Sequence, residues 1–174
     1  MRIGGRRASV VRTLAFVGTA SLAASLHIGT VRAEIKLLPG EQAFRYAVRA
    51  LDATALEAQF TIADGYYLYR DKLRFAVEPA DLAGAAPALP PGKVKDDEFF
   101  GRVETYRDRV VVRVPLQRAA AGQSVTLRAE SQGCADVGVC YPPAAQQLTV
   151  VIPAPGQPAG PLVEATPPKK GWFK

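Results

Sequence analysis

Histidine, methionine, tryptophan and cysteine are scarce in this 174-residue chain, with one, one, one and two copies. The histidine, His27, and the methionine both lie in the first 33 residues, a stretch with no Asp or Glu. If that leader is removed, no histidine remains. Its loss excludes Ser-His-Asp and Cys-His catalysis and any His-ligated metal. An excess of positive charge is also missing from the rest of the chain. The formal charge is +6, but Arg2, Arg6, Arg7, Arg12 and Arg32 sit in the leader, and from Glu34 onward 17 Lys and Arg face 16 Asp and Glu. A near-neutral chain of this kind excludes a strongly basic nucleic-acid surface, so no nucleic-acid partner is expected. Cys134 and Cys140 are left as the obvious reactive groups.

The leader has its own logic. Its arginines make a basic start, Thr13 to Leu26 is uncharged and mostly apolar, and Val31-Arg32-Ala33 suits a cleavage site after Ala33. That pattern predicts a secretory signal peptide. As a membrane anchor, 14 residues would reach only about 21 Å at ~1.5 Å each, short of a ~30 Å bilayer core. The Arg6-Arg7 pair raises twin-arginine export, but general secretion fits the surroundings better. The expected destination is the periplasm, an oxidising space where a disulfide persists. No later segment is apolar enough to span a membrane.

From Glu34 the chain has the length of one domain with a real core, and it reads as short strands separated by turns. Phe44 to Ala50 alternates apolar and polar residues, as a half-buried strand does. Leu56–Ile62, Tyr66–Tyr69 after an Asp64-Gly65 turn, Leu73–Glu78, Val110–Val114, Val125–Ala129 and Gln147–Ile152 follow. Ala80 to Gly92 reads as a connection. Seven or so strands without helices predict an all-β fold, an immunoglobulin-like β-sandwich over residues 34–152. The two cysteines are too close together to pin two sheets as they do in antibody domains. Residues 153–174 hold six of the 14 prolines and read as an extended or flexible tail. Its Lys169-Lys170-Gly171-Trp172-Phe173-Lys174 end is either untethered or contacts a membrane surface or a partner.

The segment from Gln132 to Pro143, QGCADVGVCYPP, concentrates the chemistry. Gly133 and Gly138 permit bends, and a loop folding back brings the sulfurs into bonding range when the Cα atoms come within about 7 Å. As a staple, so small a loop contributes only about 2.4 kcal/mol in the chain-entropy model. A metal site is half-built without histidine. Redox exchange is the third reading: one thiolate attacks a partner's disulfide and the second thiol resolves the mixed disulfide. The residues by themselves leave redox and staple both open.

Gly133 to Pro143 resembles the active-site loop of the N-terminal periplasmic domain of the thiol:disulfide interchange protein DsbD. Asp64-Gly65-Tyr66-Tyr67-Leu68-Tyr69-Arg70, Asp97-Glu98-Phe99-Phe100-Gly101 and Tyr106-Arg107-Asp108-Arg109 resemble other segments of that domain in the same order. The resemblance, from about Pro39 to Ile152, implies an immunoglobulin-like fold with an active-site disulfide loop and a cap loop. It also implies a thiol:disulfide interchange activity of the protein-disulfide reductase type. Cys140 then matches the cysteine that joins the partner, and Cys134 its internal partner. Asp97, Glu98, Phe99, Phe100 and Gly101 match the cap loop, with Phe99 shielding the disulfide. Tyr67 and Tyr69 match residues near the sulfurs, and Asp136 either tunes the cysteines or merely solvates the loop. The nearby carboxylates are expected to disfavour a thiolate, leaving free Cys140 weakly activated outside a docked complex.

The resemblance further implies a monomer without cofactor or metal. Its electron donor would be thioredoxin-like, and its acceptor a disulfide isomerase or a cytochrome c maturation thioredoxin. The sequence contains neither a transmembrane bundle nor a thioredoxin-like domain. A free-standing homologue would therefore need a separate membrane or periplasmic donor, whereas a portion of a longer protein would not. The competing expectation is a non-redox periplasmic binding module with a structural disulfide.

Overall fold

The computed structural model describes residues 36–98 and 100–165. The expected signal peptide, Phe99 and the Lys169–Lys174 end lie outside the described residues. One helical turn, Gly40–Ala43, leads into β1 (Phe44–Asp52), followed by β2 (Ala55–Ile62), β3 (Tyr66–Tyr69) and β4 (Arg74–Glu78). Next come β5 (Lys93–Asp97), β6 (Gly101–Tyr106), β7 (Arg109–Pro115) and β8 (Ser124–Ser131). The short β9 (Gly133–Ala135) and β10 (Val139–Cys140) precede β11 (Ala144–Val151) and β12 (Val163–Glu164).

These strands form three antiparallel sheets, in the orders β12-β1-β2-β7, β10-β9-β3-β6-β5 and β11-β8-β4. Alternation explains how they close on one core. In β1 and β2, Tyr46, Val48, Leu56, Ala58 and Phe60 are buried. They meet Val112 and Val114 of β7, Val125 and Leu127 of β8, and Val150 of β11. The Tyr46 and Phe60 rings lie 4.9 Å apart, and the Tyr46 hydroxyl donates across the core to the Leu127 carbonyl at 3.3 Å. The result is the immunoglobulin-like sandwich expected from the strand pattern.

Beyond the seven expected strands the structure adds β5, β6, β9, β10 and β12. The expected connection from Ala80 ends at Gly92, and a charged edge strand, β5, begins at Lys93 and pairs with β6. The tail expected to be flexible from Pro153 is anchored as far as Ala165. Val163 and Glu164 pair with Val48 and Ala47, and Gly160 N–H and Ala165 N–H donate to the carbonyls of Ala50 and Tyr46. The physical reason is that β1 otherwise leaves an open edge of backbone donors and acceptors, which the returning chain covers.

β3 is buried on both faces. Tyr66 and Leu68 face the main core, while Tyr67 and Tyr69, one position out of phase, face a second cluster with Cys134. β3 pairs with β9 so that Tyr67 stands opposite Cys134 and Leu68 opposite Gly133. A Cβ on Gly133 would overlap the Tyr67 carbonyl oxygen and lie 2.6 Å from the Phe44 ring. Gly133→Ala should therefore lower the urea midpoint by the equivalent of about 1–3 kcal/mol, as overpacking does. An unchanged midpoint would show that β9 does not press on β3 and Phe44.

Candidate functional site

The sulfurs are positioned by a hairpin. Cys134 on β9 and Cys140 on β10 are direct register partners, with Cα atoms 3.9 Å apart, and they form a disulfide. Between them Asp136, Val137 and Gly138 make a three-residue loop, closed by a Gly138 N–H to Ala135 carbonyl bond at 3.0 Å. Gly138 adopts φ +84°, the left-handed conformation such a loop needs at its last residue. Cys134 is wholly buried on an inner strand; Cys140 is half-buried on the edge strand.

Around Cys134 lies a polar network. The Tyr69 hydroxyl is 3.2 Å from the Cys134 Sγ and 3.9 Å from the Cys140 Sγ, and it donates to Asp97 Oδ2 at 2.8 Å. The Tyr67 hydroxyl donates to the same oxygen at 2.9 Å, and Lys95 Nζ lies 3.2 Å from it. The Phe100 N–H donates to Asp97 Oδ1 at 3.3 Å. The Asp97 side chain is 1% exposed, so each of these donors replaces hydration that the carboxylate has lost. Burial, followed by the neighbouring Tyr67 and Asp97 groups, pushes the Tyr69 phenol far above its ordinary value. Tyr69 therefore stays protonated and can serve as a hydrogen-bond donor at neutral pH.

Over this network sits Phe100, edge-on to Tyr69 with ring centres 5.0 Å apart, and Lys72 Nζ lies 4.7 Å from its centroid. Phe100 itself is 43% exposed, and Glu98 is exposed beside it. Gly101 ends the turn with positive φ and opens β6. Below the hairpin exit, Tyr141 packs against Phe44 and Tyr66, and its hydroxyl donates to the Leu38 carbonyl at 2.6 Å. The residue after Cys140 is thus fixed to the core.

The structure brings Cys134, Cys140, Tyr67, Tyr69 and Asp97 into one cluster, with Phe100 adjoining it. Asp136 sits apart at the hairpin tip, where the Arg107 guanidinium grips it at 2.6 and 3.0 Å. Sequence reasoning did not single out Lys95 or Lys72, and it met Arg107 only within the Tyr106–Arg109 segment, without a role. A signal existed for Lys95, which precedes Asp97 by two positions and so shares its face of a strand. The charge of both carboxylates is offset, Asp97 by Lys95 and Asp136 by Arg107, so the expected repulsion of a thiolate is weaker than their signs alone suggest. Among the described residues no group of three His, Cys, Asp or Glu side chains is placed to hold a metal ion.

Comparison with known proteins agrees with this geometry. The family described as "Thiol:disulfide interchange protein DsbD, N-terminal" matches residues 34–152. The chain is 47% identical over 137 residues to the DsbD of Ralstonia nicotianae, covering 77% of this chain and 22% of that protein. It is 42% identical over 108 residues to the DsbD of Escherichia coli strain K12, covering 62% and 18%. The chain therefore spans about a fifth of the length of these relatives. The solved reduced form of the Neisseria meningitidis DsbD N-terminal domain superimposes with TM-score 0.60 at 40% identity, covering 68% of this chain and 92% of that one. A solved complex between the DsbD N-terminal and PilB N-terminal domains from Neisseria meningitidis matches with TM-score 0.56 at 39% identity, covering 66% and 87%.

The Arg107 hydrogen bonds, ahead of burial, set the Asp136 acidity: they hold its carboxyl below the usual range. A lowered folded-state pKa contributes stability that is present above the unfolded value, about 3.9, and lost as pH falls through the folded value. With side chains 34% and 45% exposed, that contribution is small. Carboxyl NMR should show Asp136 protonating below ordinary aspartates, and Arg107→Gln should move it back up. No movement in the variant would show that the fork does not form in solution.

Proposed function

This chain belongs to the family of DsbD N-terminal domains, and from that premise we propose that it is a periplasmic thiol–disulfide exchange module. It passes electron pairs to partner proteins through Cys134 and Cys140. The observation that carries the reading is the asymmetry of the pair: a sealed sulfur on an inner strand bonded to a half-buried sulfur on an edge strand. An attacking group reaches Cys140 first, and Cys134 waits behind it.

In the reduced protein, the Cys140 thiolate attacks one sulfur of a partner's disulfide. A Cys140–partner bond forms, the partner's S–S bond breaks, and the released partner thiolate takes a proton. The Cys134 thiolate then attacks the Cys140 sulfur, so the internal disulfide forms and the second partner thiolate leaves and is protonated. Two electrons and two protons pass to the partner. A dithiol donor reverses the sequence to reload the pair. The donor is a thioredoxin-like protein and the acceptor a disulfide isomerase or a cytochrome c maturation thioredoxin. The Neisseria complex, in which a relative's N-terminal domain is bound to a domain of a second protein, supports a protein partner. The basic and apolar leader supports export, with cleavage after Ala33.

A purely structural disulfide is the weaker account. The hairpin is already held by Asp136 N–H to Gly65 O, Gly138 N–H to Ala135 O and Tyr141 N–H to Gly133 O bonds. A further six-residue staple adds little to a strand so pinned. Phe100 supports a cap at this loop: its ring packs edge-on against Tyr69, next to the sulfurs. Asp97, Tyr67 and Tyr69 hold Cys134 in place, and Glu98 lies on the rim.

Cys134→Ser should accumulate a mixed disulfide through Cys140 with a thioredoxin-fold protein, Cys140→Ser should transfer nothing, and the double variant should be inert. Full transfer by the double variant would sink the proposal. For the cap, Phe100→Ala should speed reduction of the oxidised protein by small thiols several-fold, measured by thiol-trapping gel shift. An unchanged rate would limit Phe100 to packing.

A further inference from the structure

Arg107 lies outside the sulfur network, yet it joins the hairpin to β3. Its guanidinium makes a two-pronged bond to Asp136, donates toward the Tyr66 carbonyl at 3.4 Å, and has its carbon 5.2 Å from the Tyr67 ring centre. Asp136 is the first residue of the loop between the cysteines, and its N–H donates to the Gly65 carbonyl at 2.8 Å. Backbone and side chain of one loop residue are therefore both tied to neighbouring turns. Neither tie involves a sulfur.

That independence matters when the disulfide opens. β10 is two residues long and, among the described residues, pairs only with β9. With the S–S bond gone, the loop tip is held by backbone bonds and by the Arg107 fork. We propose that Arg107 and Asp136 are positioning residues that keep the reduced hairpin closed, so that Cys134 and Cys140 stay poised to re-form their bond. The inference rests on the exchange reading for its use, but not for its test.

The sign follows from chain entropy. In the disulfide form the covalent bond already closes the hairpin, so losing the fork frees little. In the dithiol form the same loss frees the loop, which favours the dithiol and lowers the effective concentration of one thiol at the other. Electrostatics alone would act differently. Removing the cation and removing the carboxylate would shift the thiols in opposite directions.

The test is the equilibrium of the Cys134–Cys140 pair with a glutathione redox buffer, using the full chain. Arg107→Gln and Asp136→Asn should each shift the pair toward the dithiol by about fivefold, or about 20 mV at ~30 mV per tenfold change. The double variant should shift no further than either single one, because both remove one tie. The charge-exchanged pair, Arg107→Asp with Asp136→Arg, should recover part of the shift. Unchanged constants would overturn the proposal, and so would shifts of opposite sign in the two single variants. Urea unfolding gives a second criterion: the oxidised variants should lose more stability than the reduced ones, by the size of the redox shift, and an equal loss in both forms would reduce the fork to ordinary stabilisation. Because glutathione replaces the protein partner, these outcomes are independent of whether the wild-type chain reduces a thioredoxin-fold protein. Failure of that transfer would count against the exchange reading alone.

Discussion

A buried carboxylate, linked to the Cys134 sulfur through the Tyr69 hydroxyl, is the constraint on which the rest of this site depends. Asp97 ends an edge strand, yet its side chain is closed off from water, and an uncompensated charge there costs several kcal/mol. The compensation comes from the Tyr67 and Tyr69 hydroxyls, the Lys95 ammonium and the Phe100 backbone N–H. Those donors belong to β3, to β5 and to the turn after it, two strands separated in the sheet by β6. One carboxylate thus joins the strand beneath the sulfurs to the turn above them. Tyr69 extends the same network to Cys134.

The proposed division of labour between the cysteines rests on where the sheet places them. β9 lies between β3 and β10, so Cys134 is fixed on both sides, and β10 has no outer neighbour among the described residues. A nucleophile must be reached, and a resolving thiol must be kept from solvent oxidants. On the proposed roles, the edge strand leaves Cys140 reachable and the inner strand keeps Cys134 from solvent. Tyr141 and Asp136 then fix the two ends of the hairpin arm, through the aromatic cluster with Phe44 and Tyr66 and through Arg107.

Much of this was legible in the sequence, for identifiable reasons. Strands β1, β2, β7 and β8 show themselves because alternate residues enter a common core, and that alternation survives in one dimension. The phase of Tyr66 to Tyr69 likewise separates core-facing from site-facing rings. β5 hid because four of its five residues are charged, as suits an edge but not a propensity scale. β12 hid because two residues between prolines give no period to read. The cysteine hairpin was readable from its glycines, but its pairing across β3 was not. The Arg107–Asp136 fork joins positions 29 apart that only the fold brings together. The packing of Phe100 on Tyr69 joins positions 31 apart, which the sequence alone does not reveal.

The central claim is that this pair of sulfurs moves two electrons at a time to a protein disulfide. Its most direct test mixes the fully reduced chain with an equimolar oxidised thioredoxin-fold protein and follows both by alkylation and mass spectrometry. The account predicts that one internal Cys134–Cys140 disulfide appears for each partner disulfide lost. A partner that stays oxidised, or one that is reduced while the Cys134–Cys140 bond fails to form, would contradict it.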